Sequence, residues 1–310
     1  MTTLIFGHQN PDTDALTSAI SFAEFQRQLG NTDVEAVALG EPNDETKFVL
    51  DYFKQTAPRV IKTAANETDT VMLVDHNEPQ QSVADIKDVT VAAVVDHHRI
   101  AGFETAAPLY YRAEPVGSTN SIIYELFQEK HFTIATQLAG LMASGIISDT
   151  LLLKSPTTTK LERQILPELA KIAGIDLQTY GLAMLKAGTN LAAKSDLDIV
   201  EGDAKSFTMA GKTVRIGQVN VVDLTEIEAR QGAIEATMKA EAEKNGYDTF
   251  VLIATDILNS NSLGLAFGAD LDKLEAAFDV KFDAAHRLAL PGVVSRKKQV
   301  VPPLQKAYEA

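Results

Sequence analysis

Histidine and aspartate residues follow short apolar runs at four places in the first half of this 310-residue sequence. These residues are His8, Asp12, Asp14, Asp75, His76, His97, His98 and Asp149. The whole chain contains six histidines, and four of them occur in these places. Such a concentration of imidazoles and carboxylates predicts a metal site or another polar centre.

The residue types favour a particular class of metal ion. Neutral imidazoles and carboxylates suit Mn²⁺, and carboxylates also suit Mg²⁺. The chain has no cysteine, which excludes thiolate ligands. A carboxylate such as that of Asp75 can bridge two cations. Two cations about 3.5–4 Å apart hold both the attacking and the leaving oxygen of an in-line displacement.

Each of these residues also has a simpler interpretation. Asp12 and Asp14 are residue types that favour the N-terminus of a helix. Asp75 could be a turn residue, and His97-His98 could form a hydrogen-bonded loop. The combination of His-x₃-Asp-x-Asp with Asp-His-His favours the metal site over these interpretations. The other two histidines lack such a context and are predicted to be structural or on the surface; they are His131 and His286.

The first half of the chain alternates apolar strands with amphipathic helices, which predicts an α/β fold. Continuous apolar runs at Leu4–Phe6, Thr70–Val74 and Thr90–Val95 are typical of strands buried in a parallel sheet. Helices are predicted over Asp14–Leu29, Glu45–Lys54, Ser118–Lys130, Ala135–Ile147 and Thr159–Ala173. Ligands of such doubly wound sheets bind beyond the carboxyl ends of the strands. The first three polar segments would meet there, and a helix or strand ending at Asp149 could add a carboxylate.

The length of the chain favours two domains. The helical pattern weakens near Gly188, so we expect a doubly wound, mainly parallel N-terminal domain over residues 1–188 and a linker over 189–195. Residues 196–310 are predicted to form a smaller mixed α/β domain. Its predicted elements are a hairpin within 206–222, a helix over Leu224–Asn245 and a strand over Thr249–Ala254.

The formal net charge of -14 argues against bulk nucleic-acid binding, which requires a basic surface. It does not exclude a small anionic substrate, because bound dications invert the local field. The N-terminus does not resemble a signal peptide, and no apolar run reaches the roughly 20 residues of a membrane span. We therefore expect a cytoplasmic protein without membrane or nucleic-acid partners.

A basic run, Ser295-Arg296-Lys297-Lys298, lies near the C-terminus of this acidic chain. Taken alone, it is best interpreted as a solvated loop. The alternative is an anion-binding segment, since arginine grips phosphate oxygens in pairs and lysine adds a mobile charge.

Taken together, these motifs resemble the family II, manganese-dependent inorganic pyrophosphatases of the DHH phosphoesterase superfamily. The resemblance covers essentially the whole chain and is closest to the short, streptococcal type. It implies six metal ligands, with Asp75 bridging; they are His8, Asp12, Asp14, Asp75, His97 and Asp149. It also implies that His98 contacts substrate and that three residues of the C-terminal domain bind pyrophosphate, namely Lys205, Arg296 and Lys297. Asp96 is expected to orient an imidazole.

The expected reaction is hydrolysis of pyrophosphate to two orthophosphates by a metal-bridging hydroxide. The resemblance implies two Mn²⁺ per subunit, Mg²⁺ delivered with the substrate, and a homodimer. We further expect the two domains to close on substrate about the Gly188 region. The alternatives are an oligonucleotide-degrading or cyclic-dinucleotide phosphoesterase, an exopolyphosphatase, and a non-enzymatic metal-dependent binding module.

Overall fold

In the computed structural model, which describes residues 2–309, the apolar runs of the first half form one sheet. Its strands are β1 (Thr3–Phe6), β2 (Val34–Ala36), β3 (Thr70–Val74), β4 (Thr90–Asp96) and β5 (Tyr110–Ala113). They lie in the order β2-β1-β3-β4-β5, and every neighbouring pair is parallel. Ile5, Leu73 and Val94 of the central strands are buried. The predicted parallel sheet is confirmed.

Six helices accompany this sheet. They are α1 (Thr13–Gln28), α2 (Asp44–Tyr52), α3 (Thr119–Glu129), α4 (Thr136–Thr150), α5 (Lys160–Ala173) and α6 (Leu177–Thr189). Local sequence sets their ends: Thr159 and Glu162 form a capping box at the start of α5, and Gly174 ends it with φ of +70°. The sequence predicted the first five helices but not α6, nor the short strand β5.

The chain folds into two compact units, Met1–Gly188 and Thr189–Ala310. The second unit has five strands: β6 (Ala204–Met209), β7 (Lys212–Val221), β8 (Thr249–Asp256), β9 (Asn261–Gly268) and β10 (Leu288–Pro291). Its helices are α7 (Asp196–Glu201), α8 (Thr225–Asn245), α9 (Leu271–Phe278) and α10 (Val301–Glu309). The sheet order is β10-β9-β8-β7-β6; only the β7–β8 pair is parallel. This mixed sheet and the β6–β7 hairpin confirm the predicted fold class of the C-terminal part.

Strand β8 runs through the middle of the second unit, and all of its residues are buried. Alternate residues such as Phe250 and Leu252 pack in one core with α8, whereas Val251 and Ile253 pack in another with α10. Leu191, from the predicted linker, packs in the core that contains α8. Within residues 2–309, none of the helices combines the length and the apolar character needed to cross a membrane.

Candidate metal centre

Three neighbouring strands of the first sheet end at the candidate site. His8 follows β1, Asp75 follows β3 and His97 follows β4, so their side chains meet at the carboxyl edge of the sheet. Asp75 has φ of +58°, a left-handed conformation that is uncommon for residues other than glycine. Such conformations concentrate at functional sites, where the surrounding structure holds them in place.

Asp75 faces two imidazoles through its two carboxylate oxygens. His8 Nε2 lies 3.5 Å from Asp75 Oδ2 and 3.5 Å from Asp12 Oδ2. His97 Nε2 lies 3.3 Å from Asp75 Oδ1 and 3.4 Å from Asp149 Oδ2. The single carboxylate of Asp75 therefore belongs to two clusters at once.

The other five predicted ligands converge on Asp75. Potential ligand atoms within 4.8 Å of one another form three groups: His8, Asp12 and Asp75; Asp14, Asp75, His97 and Asp149; and Asp75, His97 and His98. Asp75 is a member of all three. The geometry has the form expected of a two-ion centre, and the role of these residues as ligands stays a prediction.

The imidazoles are oriented as metal-binding histidines are. His8 Nδ1 lies 2.8 Å from the carbonyl oxygen of Gln9, and His97 Nδ1 lies 3.0 Å from that of Val116. Since a carbonyl oxygen only accepts hydrogen bonds, each Nδ1 carries a proton, and Nε2 is the nitrogen left to bind a metal ion in place of a proton. His97 Nε2 is buried and makes no hydrogen bond, so the donor set fits a divalent cation.

The electrostatics of the cluster also fit cation binding. Burial and the charge of Asp14 raise the pKa of Asp75 to about 7. Burial lowers the pKa of His8, but its hydrogen bond with Asp12 and the charge of Asp75 outweigh this and bring the pKa to about 9. The pKa of His97 reaches about 9 in the same way, because its interactions with Asp75 outweigh burial. The carboxylates therefore gather positive charge, either as protons or as metal ions.

The N-terminus of α3 holds Asp14 in place. Asp14 Oδ1 accepts from Ser118 Oγ at 2.7 Å and Asn120 Nδ2 at 2.8 Å, and Oδ2 accepts from the Thr119 amide at 2.7 Å. Thr119 Oγ1 also donates to Asp75 Oδ1 at 2.9 Å. The N-terminal groups of α3 therefore fix the orientation of both carboxylates. Sequence reasoning used these residues only to mark the start of a helix.

Asp12 and Asp14 combine a structural role with a place in the cluster. Asp12 is the N-cap of α1, where Oδ1 accepts from the Ala15 amide at 2.9 Å, while Oδ2 faces His8. Asp14 approaches α4 at Gly145, where an added Cβ would lie 2.6 Å from Asp14 Oδ1. The capping interpretation of Asp12 is therefore confirmed without excluding metal binding.

His98 lies beside the cluster and is held by Asp96. Its Nδ1 is 3.0 Å from Asp96 Oδ1, and Asp96 Oδ2 accepts from Asn77 Nδ2 at 2.6 Å. The His98 side chain is 51% exposed, whereas Asp96 is fully buried. This contact agrees with an orienting role for Asp96, which stays a prediction. His76 is buried, with its ring stacked on Phe6, and belongs to the core.

The basic run of the second unit is partly buried. Arg296 begins a π-helical turn over Arg296–Val300 and is only 9% exposed. Its guanidinium donates to Asp203 Oδ1 at 2.8 Å and to the carbonyl oxygens of Asp203 and Ile216. Interpretation as a fully solvated loop is therefore wrong, although Lys297 is exposed. Sequence reasoning missed Asp203, which holds Arg296.

Lys205 is the third predicted cation of the second unit. It lies on β6 opposite Ile216 of β7, and its side chain is exposed. Asp203 comes just before β6, so one short segment carries both Lys205 and the partner of Arg296. The binding of substrate by these cations stays a prediction.

Comparison with known proteins identifies both units. Residues 2–146 match the DHH family, N-terminal domain, and residues 182–307 match the DHHA2 domain. A Lactiplantibacillus plantarum protein named probable manganese-dependent inorganic pyrophosphatase is 60% identical over 307 residues, which is 99% of each chain. A protein of the same name from Enterococcus faecalis is 60% identical over 98% of each chain. A Methanococcus jannaschii crystal structure, described as a putative family II inorganic pyrophosphatase, is 39% identical with a TM-score of 0.62 and full coverage of both chains.

Proposed function

The chain belongs to the family of manganese-dependent inorganic pyrophosphatases, and we propose that it hydrolyses pyrophosphate to two orthophosphates at the centre around Asp75. The observation that carries the proposal is the shared position of Asp75. One of its oxygens faces the group with His8 and Asp12, and the other faces the group with His97 and Asp149. A carboxylate so placed can serve two ions of a phosphoryl-transfer centre.

The proposed ligands of two Mn²⁺ ions are His8, Asp12, Asp14, Asp75, His97 and Asp149. When bound, the two ions supply the positive charge that lowers the pKa of a water molecule and neutralises phosphate oxygens. Hydrogen bonds with other residues of the chain hold these ligands in fixed orientations. The Gln9 and Val116 carbonyls orient the imidazoles, and the N-terminus of α3 orients Asp14 and Asp75 through hydrogen bonds.

The remaining site residues are proposed to bind and polarise the substrate. His98, half-exposed beside the cluster and held by Asp96, can donate a proton to a phosphate oxygen from Nε2. Arg296, Lys205 and Lys297 are proposed to balance the charge that grows on the leaving phosphate. The ion pair between Asp203 and Arg296 supports this role, because it fixes the direction of the guanidinium.

The test is phosphate release by protein that has been stripped with a chelator and then given Mn²⁺. Pyrophosphate, tripolyphosphate and a short oligonucleotide are supplied in parallel. We expect Mn²⁺-dependent release that is fastest with pyrophosphate. Preference for tripolyphosphate would indicate an exopolyphosphatase. Oligonucleotide cleavage releases nucleotides and no orthophosphate, so it is followed by gel electrophoresis, and shortened products would indicate a nuclease of the same superfamily. Neither phosphate release nor oligonucleotide cleavage would leave a non-enzymatic binding module.

Three parts of the proposal rest on the family resemblance. They are Mg²⁺ accompanying the substrate, a homodimer, and a cytoplasmic location. Light scattering on the Mn²⁺-loaded protein tests the dimer. Kinetics with Mg²⁺ varied at constant Mn²⁺ test whether the substrate is the magnesium complex.

A further inference from the structure

Glu45, in the first turn of α2, connects two segments that carry candidate ligands. Its Oε1 accepts from Thr13 Oγ1 at 2.7 Å and from Ser148 Oγ at 2.5 Å. Thr13 lies between Asp12 and Asp14 in sequence, and Ser148 directly precedes Asp149. One carboxylate oxygen therefore joins the start of α1 to the end of α4.

The surroundings of Glu45 are built for a carboxylate in this position. Thr13 has no exposed surface, and its hydroxyl also lies 3.1 Å from Thr46 Oγ1. A Cβ added at Gly188 would lie 3.0 Å from Glu45 Oε2, so the absence of a side chain there leaves room for the acid. The N-cap residue Asn43 fixes the turn, with Oδ1 accepting from the Thr46 amide at 2.8 Å.

We propose that Glu45 is a positioning residue of the metal centre, which sets the separation between the Asp12–Asp14 segment and Asp149. The inference rests on the proposed function, because it assigns metal binding to those aspartates. Asp14, Asp75 and Asp149 lie close together and repel one another when ionised. Both segments donate hydrogen bonds to the same acceptor. They are therefore ordered before an ion binds, and metal binding costs less free energy than it would if the segments were free to move.

The experiment measures Mn²⁺ affinity directly, through the EPR signal of the free ion titrated with metal-free protein. Glu45→Ala removes the acceptor, and Glu45→Gln keeps an acceptor oxygen but removes the charge. Asp51→Ala is the control, because Asp51 lies on the same helix with an 88% exposed side chain. We expect Glu45→Ala to weaken Mn²⁺ binding about 10-fold or more, in the range typical of residues behind metal ligands. Glu45→Gln and Asp51→Ala should stay within about threefold of the original protein.

Ser148→Ala separates positioning from a general loss of structure. It removes one of the two hydrogen bonds and should weaken Mn²⁺ binding by itself. Combined with Glu45→Ala it should add little, since both changes break the same contact. Full Mn²⁺ affinity in Glu45→Ala or in Ser148→Ala would overturn the proposal, and so would strictly additive effects.

The affinity readout also keeps this inference separate from the proposed function. If the unaltered protein bound Mn²⁺ tightly but released no phosphate from pyrophosphate, the proposed function would fail and the Glu45 result would still count. If the protein hydrolysed pyrophosphate and Glu45→Ala bound Mn²⁺ normally, only the positioning role would fail.

Discussion

Asp203 holds the guanidinium of Arg296 from two sides, with its Oδ1 2.8 Å from Nη2 and its main-chain carbonyl oxygen accepting from Nη1. The Arg296 side chain is almost buried, whereas that of Asp203 is 62% exposed. Both terminal nitrogens of the guanidinium therefore donate to Asp203, which fixes the orientation of the Arg296 side chain.

Asp203→Ala is expected to raise the KM for pyrophosphate about 3- to 10-fold, a modest effect because water screens the charge of the largely exposed Asp203 carboxylate. The kcat should change less, since the metal ligands are untouched. Steady-state kinetics at saturating Mn²⁺ measure both constants. The control is Glu201→Ala, which breaks the neighbouring ion pair with Arg215. An equal rise of KM in both variants would contradict a specific role for Asp203.

Thr119→Val removes the hydroxyl that donates to Asp75 but leaves the amide that donates to Asp14. We expect Mn²⁺ affinity to fall about 10- to 100-fold, because Asp75 loses a hydrogen bond that orients it. Isothermal titration of metal-free protein provides the affinity. Thr133→Val, at an exposed position just before α4, is the matched control. Unchanged affinity in Thr119→Val would mean that the strands alone hold Asp75.

Asp96→Asn is expected to lower kcat about 10- to 100-fold while Mn²⁺ affinity stays within about twofold. The hydrogen bond with Asp96 is the main reason why the pKa of His98 is raised, so its loss disfavours the protonated ring. Kinetics and a Mn²⁺ titration on the same preparation separate the two effects. Asp88→Asn, at an exposed site, serves as the control. A parallel loss of metal affinity would show that Asp96 supports the cluster instead of His98.

The stability of the metal-free protein should fall as the pH rises from 6.5 towards 9. In that window the folded state keeps protons on His8 and His97, whose pKa values are raised from 6.5 to about 9, whereas the unfolded chain releases them. The folded state therefore binds more protons, and the free energy of unfolding decreases with pH. The raised pKa of Asp75 likewise makes the free energy of unfolding decrease as the pH rises from 3.8 to about 7.

Thermal denaturation with chelator and with Mn²⁺, between pH 6.5 and 8.5, checks this expectation. Bound Mn²⁺ replaces the protons, so the difference in Tm between the two samples should widen as the pH rises. A difference in Tm that is constant or narrows would contradict the proposed linkage.

The sequence predicted the strands and their polar ends well because both are local features. The apolar run of β4 and the residues after it, His97 and His98, can be recognised without knowing what they contact. The hydrogen bonds to Asp14 cannot be recognised from the sequence, because Ser118 and Thr119 lie more than 100 residues away from it along the chain. The same limit applies to Asp203, whose partner Arg296 lies 93 residues further along the chain.

In the first unit, two elements were missed for a different reason. Strand β5 has no fully buried residue, so it lacks the continuous apolar run that marked β1, β3 and β4. Helix α6 contains two glycines and crosses the predicted boundary at Gly188, where the pattern weakens. The segment before Asp149 was ambiguous between helix and strand because it is apolar on all sides, and it proves to be the buried helix α4.

Gly145 occupies the middle of that buried helix, where alanine would ordinarily stabilise a protein by about 0.5–1 kcal/mol. A methyl group there would clash with Asn120 Nδ2 and would lie 2.6 Å from Asp14 Oδ1. Substitution of alanine for glycine, a common way to raise thermal stability, is therefore expected to destabilise the protein at Gly145. Attempts to stabilise α4 by raising its helix propensity should begin at other positions, because the absence of a side chain at Gly145 leaves the space that the Asp14 carboxylate occupies.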